Sequence, residues 1–409
     1  MRHPRRAWLC GGLASCGLAA LEALGLAVPR PAAGQEGAAH GRPAGHAASA
    51  PAAQPGDVVP PAAAAPQPAV HTVLGLVSPD VLGAVLMHEH APVIDWSELF
   101  EHRAASLGEL RGQVLEAAAA QLAAFHRALP GEWRPGTIVE CTPIRVGRYP
   151  DLLRELAGRV PVHVVACTGF WGEAMAPAHP WALELLRGRN AVERVAELYI
   201  KEIREGMEDP AGRWGERFTD VRAGMIKVAT SSHMRPVERR LHEAAALASR
   251  ETGCPITTHT TEGGGWEQAQ LLLERGVEAN KIIIGHQGHL DDRQQEEAHA
   301  VHCRLAELGC YVQFDRVGQP RYELEKVARQ VRALCERGHA HRVLFGHDRV
   351  SYVYRRFDEP QGGPEGWEAQ AVDLTVVPVK LAAVLRALGI TPEDVHAMLV
   401  ENPARVLAF

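Results

Sequence analysis

The chain has 409 residues, 46% of them hydrophobic and 22% charged, with a formal net charge of −6. That balance belongs to a globular protein rather than a fibrous or low-complexity one. Its mild acidity argues against nucleic acid as a partner. The eight cysteines form no C-x-x-C pair. Six of them, Cys141, Cys167, Cys254, Cys303, Cys310 and Cys335, lie mostly in apolar runs, which reads as buried small side chains rather than a disulfide framework or a zinc knuckle.

Residues 1–34 read as an export signal. Arg2, His3, Arg5 and Arg6 form a basic start, an apolar stretch from Ala7 to Val28 is broken only by Glu22, and small residues follow at Ala32, Ala33 and Gly34. That order is the one a secretory signal requires. Arg5-Arg6 permits a twin-arginine version, suited to a protein that folds around metal before export. Leu13-Ala14-Ser15-Cys16 resembles a lipobox with Cys16 as the lipidated residue, and an uncleaved anchor is the remaining alternative. The protein is therefore expected to be exported: periplasmic, extracellular or lipid-anchored, with membrane contact only through that anchor. Residues 35–69 are dominated by Ala, Pro and Gly. They carry too little large apolar surface to offset the entropy of ordering and read as a disordered linker.

From Val70 the pattern changes to short apolar runs alternating with amphipathic helical stretches. The runs are Leu82–His90, Gly136–Thr142, Val162–Phe170, Gly224–Thr230, Pro255–Thr260, Lys281–His286, Cys310–Asp315 and Arg342–Asp348. Nearly continuous strings such as Ile282-Ile283-Ile284 mark strands buried on both faces. Val237–Thr252, Gly265–Gly276, Gln294–Leu308 and Arg321–Arg337 read as helices, with Gly253, Gly276, Gly309 and Gly338 as stops. Leu374–Leu388 reads as a further helix, and Thr391-Pro392 opens a last one as N-cap and first helical residue. Eight such units over residues 70–409 predict an α/β fold, a (β/α)8 TIM barrel. A doubly wound open sheet is the alternative, weakened by the lack of G-x-G-x-x-G at the first strand-to-helix turn.

In a barrel all strand C-termini share one face, where active sites form. Here the first run ends in His88-Glu89-His90, the fourth contains Lys227, the fifth ends near His259, the sixth at His286 and the eighth at Asp348. His88 and His90, two apart on a strand, point the same way. Four imidazoles and a carboxylate suit zinc, manganese, cobalt or iron. Lys227 sits in the apolar Gly224-Met225-Ile226-Lys227-Val228, where a lone ammonium is costly. A neutral amine there could take up carbon dioxide as a carbamate, which has a carboxylate's shape and charge.

The segments Leu86-Met87-His88-Glu89-His90, Gly224-Met225-Ile226-Lys227-Val228-Ala229-Thr230, Thr257-Thr258-His259-Thr260, Ile284-Gly285-His286 and Glu401-Asn402-Pro403-Ala404-Arg405 resemble, in order, those of the phosphotriesterase family within the amidohydrolase superfamily. The resemblance implies two divalent metal ions, zinc foremost. His88, His90 and Asp348 would hold the more buried ion, His259 and His286 the more exposed one, and an N-carboxylated Lys227 would bridge them. A bridging hydroxide would be the nucleophile, with Asp348 accepting its proton.

Phosphotriesterases proper carry a His after the Asp of the seventh strand as part of a proton relay. This chain has Asp315-Arg316, which is similar to the lactonase branch. An acidic cluster expected after the sixth-strand His is replaced by Gln287-Gly288-His289-Leu290-Asp291-Asp292. Arg316 is taken as substrate-binding, with a structural ion pair as its alternative. Trp171 is expected to line the pocket, and Arg349–Val372 to shape the leaving-group side. The resemblance implies a small-molecule lactone, ester or organophosphate as substrate. Lactonase-type ester hydrolysis leads, phosphotriesterase or phosphodiesterase activity is the alternative, and a non-catalytic exported binding protein ranks below both. A serine hydrolase lacks its G-x-S-x-G elbow here. The family's dimers make a homodimer an option that no motif specifies.

Overall fold

A computed structural model describes residues 67–95, 107, 110–172, 180–261, 265–288, 295–319, 322–354, 368–369 and 373–409. Eight strands form one sheet in strict sequence order. They are β1 (Val85–Glu89), β2 (Thr137–Glu140), β3 (His163–Thr168), β4 (Met225–Thr230), β5 (Ile256–Thr260), β6 (Ile282–Ile284), β7 (Tyr311–Phe314) and β8 (Val343–Phe345). Every neighbouring pair is parallel. Helices fill the crossovers, among them Leu110–Ala128, Pro150–Arg159, Ala191–Arg204, Pro236–Thr252, Gly265–Glu274, Gln295–Glu307 and Leu324–Cys335. The seam between β8 and β1 closes just beyond the strands, where Asp348 N donates to His88 O, His90 N to Arg349 O and Ser351 N to His90 O, each at 2.9 Å. The fold is a (β/α)8 barrel, as the eight apolar runs predict.

Two apolar layers explain why those runs are nearly continuous. Val85, Met87, Val139, Cys141, Val165, Cys167, Met225, Ile283, Tyr311 and Leu344 fill the barrel, and Val70, Leu82, Val406 and Leu407 plug its floor. The alternate residues, such as Leu86, Ile138, Val164, Ile226, Ile284 and Phe345, pack outward beneath the helices. Both strand faces are thus buried, and alternation disappears from the sequence.

The local signals hold where they are described. Gly253 ends Pro236–Thr252 in the left-handed region at φ +78° and donates its N–H to Ser249 O. Thr391 caps Pro392–His396, its Oγ1 accepting from Asp394 N at 3.0 Å. Not anticipated were a hairpin of Val70–Thr72 with Gly75–Val77 and a small sheet joining Ile94–Asp95, Tyr352–Tyr354 and Glu368–Ala369. Strands of two or three residues are too short to show a period. Ala69 exchanges backbone hydrogen bonds with Phe409 at 3.3 and 3.0 Å, which ties the start of the described chain to its end. The export signal, and the linker up to residue 66, lie outside the described residues. Among the described residues no helix is long and apolar enough to cross a membrane.

Candidate metal centre

The strand ends bring His88, His90, Lys227, His259, His286 and Asp348 to one place, each by a local device. Lys227 and His259 arrive by plain alternation along β4 and β5. On β1, Met87 points into the barrel, so strict alternation would send His88 outward. A register shift against β2 between Leu86 and Glu89 breaks that alternation and lets His88 and His90 reach the mouth together. His286 and Asp348 lie one turn past their strands in the left-handed region, at φ +56° and +50°. That conformation is uncommon for residues other than glycine and recurs where a side chain must be aimed. A glycine that admits no side chain stands one residue before His286 and two before Asp348. A Cβ on Gly285 would come within 2.1 Å of Thr258 O, and one on Gly346 within 2.9 Å of His88 N and O.

The functional atoms interlock. Lys227 Nζ lies 2.8 Å from His88 Nε2. Asp348 Oδ1 lies 3.2 Å from His90 Nε2 and 3.6 Å from His88 Nε2. His286 Nε2 lies 2.7 Å from His259 Nδ1 and 3.8 Å from Asp348 Oδ2. His88, His90, Lys227 and His286 are buried, and His259 and Asp348 half-buried.

A second layer sets the tautomers. Asp315, fully buried at the end of β7, takes His286 Nδ1–H on Oδ1 at 2.6 Å and has His88 Nδ1 2.9 Å from Oδ2. It also accepts from the backbone N of His286 at 3.0 Å. The carboxylate thus keeps the His286 ring hydrogen at Nδ1 and turns its Nε2 lone pair toward the mouth, while its second oxygen lies against His88 Nδ1. His90 Nδ1 lies 2.9 Å from Thr142 Oγ1, and Thr142 N donates to the buried Glu140 at 3.0 Å.

Burial, partly offset by carboxylate contacts, lowers His90 to about 4 and His286 to about 3. Burial also holds His259 well below the ordinary imidazole range. These three rings are neutral at pH 7 and present lone pairs. Burial alone would raise Asp348, but His286, His90, His88 and Arg316 outweigh it and hold the carboxyl well below its usual range. Asp315 shows the same opposition, with His286 and His88 prevailing.

This donor set fits divalent cations. Neutral imidazole lone pairs converge on an ionised carboxylate, and His88, His90 and Asp348 offer three atoms mutually within 4.8 Å. His88, His286 and Asp315 also bring three such atoms mutually within 4.8 Å. That grouping is otherwise accounted for, because Asp315 meets the Nδ1 side of both rings, opposite the nitrogens that face Lys227 and His259.

Two further residues singled out in the sequence also reach the site. The Trp171 ring, packed with Ile94, Val146 and Val350, lies 5.0 Å from that of His259. Arg316 donates Nε to Asp348 Oδ2 at 3.0 Å and Nη1 to Tyr322 Oη at 3.3 Å. Most of Arg349–Val372 lies outside the described residues. Sequence reasoning gave no role to Glu89, Glu140 or Thr142, and read Asp315 only as Arg316's neighbour. The one available signal was position: each stands within two residues of a strand end that carries a ligand or faces one.

Residues 68–407 match the phosphotriesterase family. A phosphotriesterase homology protein of Mycobacterium tuberculosis is 29% identical over 351 residues, covering 83% of this chain and 97% of that one. The N-acetyltaurine hydrolase of Mus musculus is 26% identical over 386 residues, covering 83% and 98%. Among solved structures, a mutant of a PTE-like lactonase from Deinococcus radiodurans superposes with a TM-score of 0.67 at 27% identity, covering 83% of this chain and 99% of that one. A barrel whose strand ends deliver these residues in this order, matched along nearly its whole length, places the chain in the phosphotriesterase family of metal-dependent hydrolases.

Proposed function

We propose that this enzyme holds two divalent cations, zinc foremost, and hydrolyses lactones or related esters. The observation that carries the reading is the convergence of His88, His90, Lys227, His259, His286 and Asp348, linked through side-chain contacts of 2.7 to 3.8 Å. Two cations would lower the pKa of water between them and polarise the carbonyl or phosphoryl oxygen of a substrate.

The residues supply the rest. His88, His90 and Asp348 would hold one ion, and His259 and His286 the other. The second group has no carboxylate of its own. Lys227, extended by carbon dioxide into a carbamate, would provide one and link the two halves. Asp348, kept ionised by its cationic and imidazole neighbours, would take the proton of the attacking water. Trp171 would form an apolar wall beside His259.

Arg316 favours ester over phosphotriester chemistry. It occupies Asp348 Oδ2, the position from which a relay histidine would carry the proton outward. Opening a lactone leaves the alkoxide on the same product, so the proton can be returned locally. Phosphotriester hydrolysis is the second reading, favoured by the family itself. Amide hydrolysis, suggested by the name of the mouse relative, is a third outcome to be measured. The signal read in residues 1–34 would place the enzyme outside the cytoplasm, which fractionation of the producing cell tests.

The deciding experiment is metal analysis of the purified enzyme with kcat/KM for an aliphatic lactone, an aryl ester, paraoxon and N-acetyltaurine. Two ions per chain and a lactone preference support the reading. Paraoxon or amide preference reassigns the substrate. Two bound ions with no turnover of any of them would overturn it.

A further inference from the structure

Asp348 is held by a device that the family resemblance did not single out. In the described structure β8 and β1 share no regular ladder. Their pairing reduces to the backbone bonds beyond the strands and a bridge between His90 and Val350. Within this seam, Glu89, between His88 and His90, is buried with its carboxylate turned to the segment that follows β8. Glu89 Oε1 accepts from the backbone N of His347 at 2.7 Å and from its ring Nδ1 at 2.8 Å. Oε2 accepts from Arg349 N at 3.4 Å. One carboxylate thus stands in for the ladder bonds on both sides of Asp348.

His347 is buried as well and is tied at both ring nitrogens. Its Nε2 accepts from Val377 N at 3.2 Å, so the ring hydrogen is on Nδ1, facing Glu89. Gln319 Nε2 completes the hold, donating to His347 O at 2.9 Å and to Asp348 O at 3.2 Å. Asp348 N donates to His88 O on β1, and Arg349 O accepts from His90 N just past it. Every backbone N–H and C=O from His347 to Arg349 therefore has a named partner. These bonds surround a non-glycine residue at φ +50°, a conformation that persists only where its surroundings over-determine it.

We propose that Glu89 and His347 are positioning residues. Together they form a buried carboxylate–imidazole clamp that keeps Asp348 in its left-handed turn and so aims Oδ1 at His88 and His90. The inference rests on the reading of Asp348 as a metal ligand. It adds two residues that touch neither substrate nor reacting atoms.

The test compares His347→Leu, His347→Asn and Glu89→Gln with the parent and with Asp348→Asn. The readouts are metal loss during dialysis against a chelator, the separate values of kcat and KM, and thermal unfolding of the metal-free chains. Asparagine places an amide N–H near the position of Nδ1 and can still donate to Glu89, whereas leucine cannot. We expect His347→Leu and Glu89→Gln to lose metal 10- to 100-fold faster and to lose kcat by a similar factor, the range typical of residues that orient ligands. KM should change by less than about threefold, because the clamp does not touch substrate. His347→Asn should recover to within about threefold of the parent in metal retention.

If His347→Leu does not fold, Glu89→Gln and His347→Asn still decide the matter. Folded variants with the parent's metal loss rate and kcat overturn the proposal while leaving the metal reading intact. An asparagine variant as impaired as the leucine variant overturns it too, since filling the space would then matter rather than the hydrogen bond. If Asp348→Asn itself keeps metal and turnover, the underlying reading falls and the proposal falls with it.

Discussion

Arg316 donates its Nε to Asp348 Oδ2 at 3.0 Å, while His90 meets the other oxygen of that carboxylate at 3.2 Å. The guanidinium is one of the groups that hold the Asp348 carboxyl low against burial. A base acts only when ionised, so activity is present above its pKa and is lost as pH falls through it. Removing the cation raises that pKa and moves the acid limb of the pH–rate profile to higher pH. Arg316→Met should show this shift together with a fall in kcat of roughly 10- to 100-fold. Arg316→Lys, which keeps the charge but not the guanidinium's directed N–H, should recover part of both. A methionine variant with the parent's acid limb would remove Arg316 from the control of Asp348.

Asp315 meets two candidate ligands, His286 and His88, with one side chain. Asparagine keeps the shape, but its amide nitrogen would confront one of the two ring N–H groups, at His286 Nδ1 or His88 Nδ1. Asp315→Asn should therefore fold and bind metal roughly 10- to 100-fold more weakly. Titration of the metal-free variant with zinc measures this. Affinity equal to the parent's would show that the histidines are aimed by packing alone.

The barrel and most of the centre were legible in the sequence because their signals are local. Ile282-Ile283-Ile284 announces a strand buried on both faces, and His259 and Lys227 follow from alternation along β5 and β4. The second layer was not legible, because its partners are distant in the chain and its geometry depends on irregularities. Glu89 and His347 meet across the barrel seam, 258 residues apart. His88 reaches the mouth only through the register shift in β1, which plain alternation does not foresee. Asp315 stood beside a recognised residue, but nothing in its neighbours revealed that it faces two histidines from other strands.

Lys227 lies 2.8 Å from His88 Nε2 and is buried among the candidate ligands. If it acts as a bridging carbamate, Lys227→Ala should lose most of its turnover and much of its metal. Formate or acetate added at millimolar concentration should restore part of both by entering the vacated space. The parent should show no such response. Metal content unchanged in the alanine variant would exclude the bridging role.

His242 lies outside the metal centre and reports on the fold alone. It is fully buried on Pro236–Thr252 and donates Nδ1–H to Glu238 O at 2.8 Å. Its Nε2 has no hydrogen-bond partner among the described residues. Burial lowers its pKa to about 4 from an ordinary value of 6.5. The unfolded chain therefore takes up a proton below pH 6.5 that the folded chain refuses until about pH 4. The stabilising contribution is complete above pH 6.5 and is lost as pH falls through that window, amounting to about 3 kcal/mol at its lower end. His242→Leu removes this titration and forfeits one hydrogen bond, so its stability at pH 7 should lie within about 1–2 kcal/mol of the parent's. Between pH 6 and pH 4.5 the variant should lose less stability than the parent, by as much as about 1.4 kcal/mol per pH unit. Urea unfolding of the metal-free proteins across this range measures the difference, and parallel curves would show that His242 is protonated as readily in the folded chain as in the unfolded one.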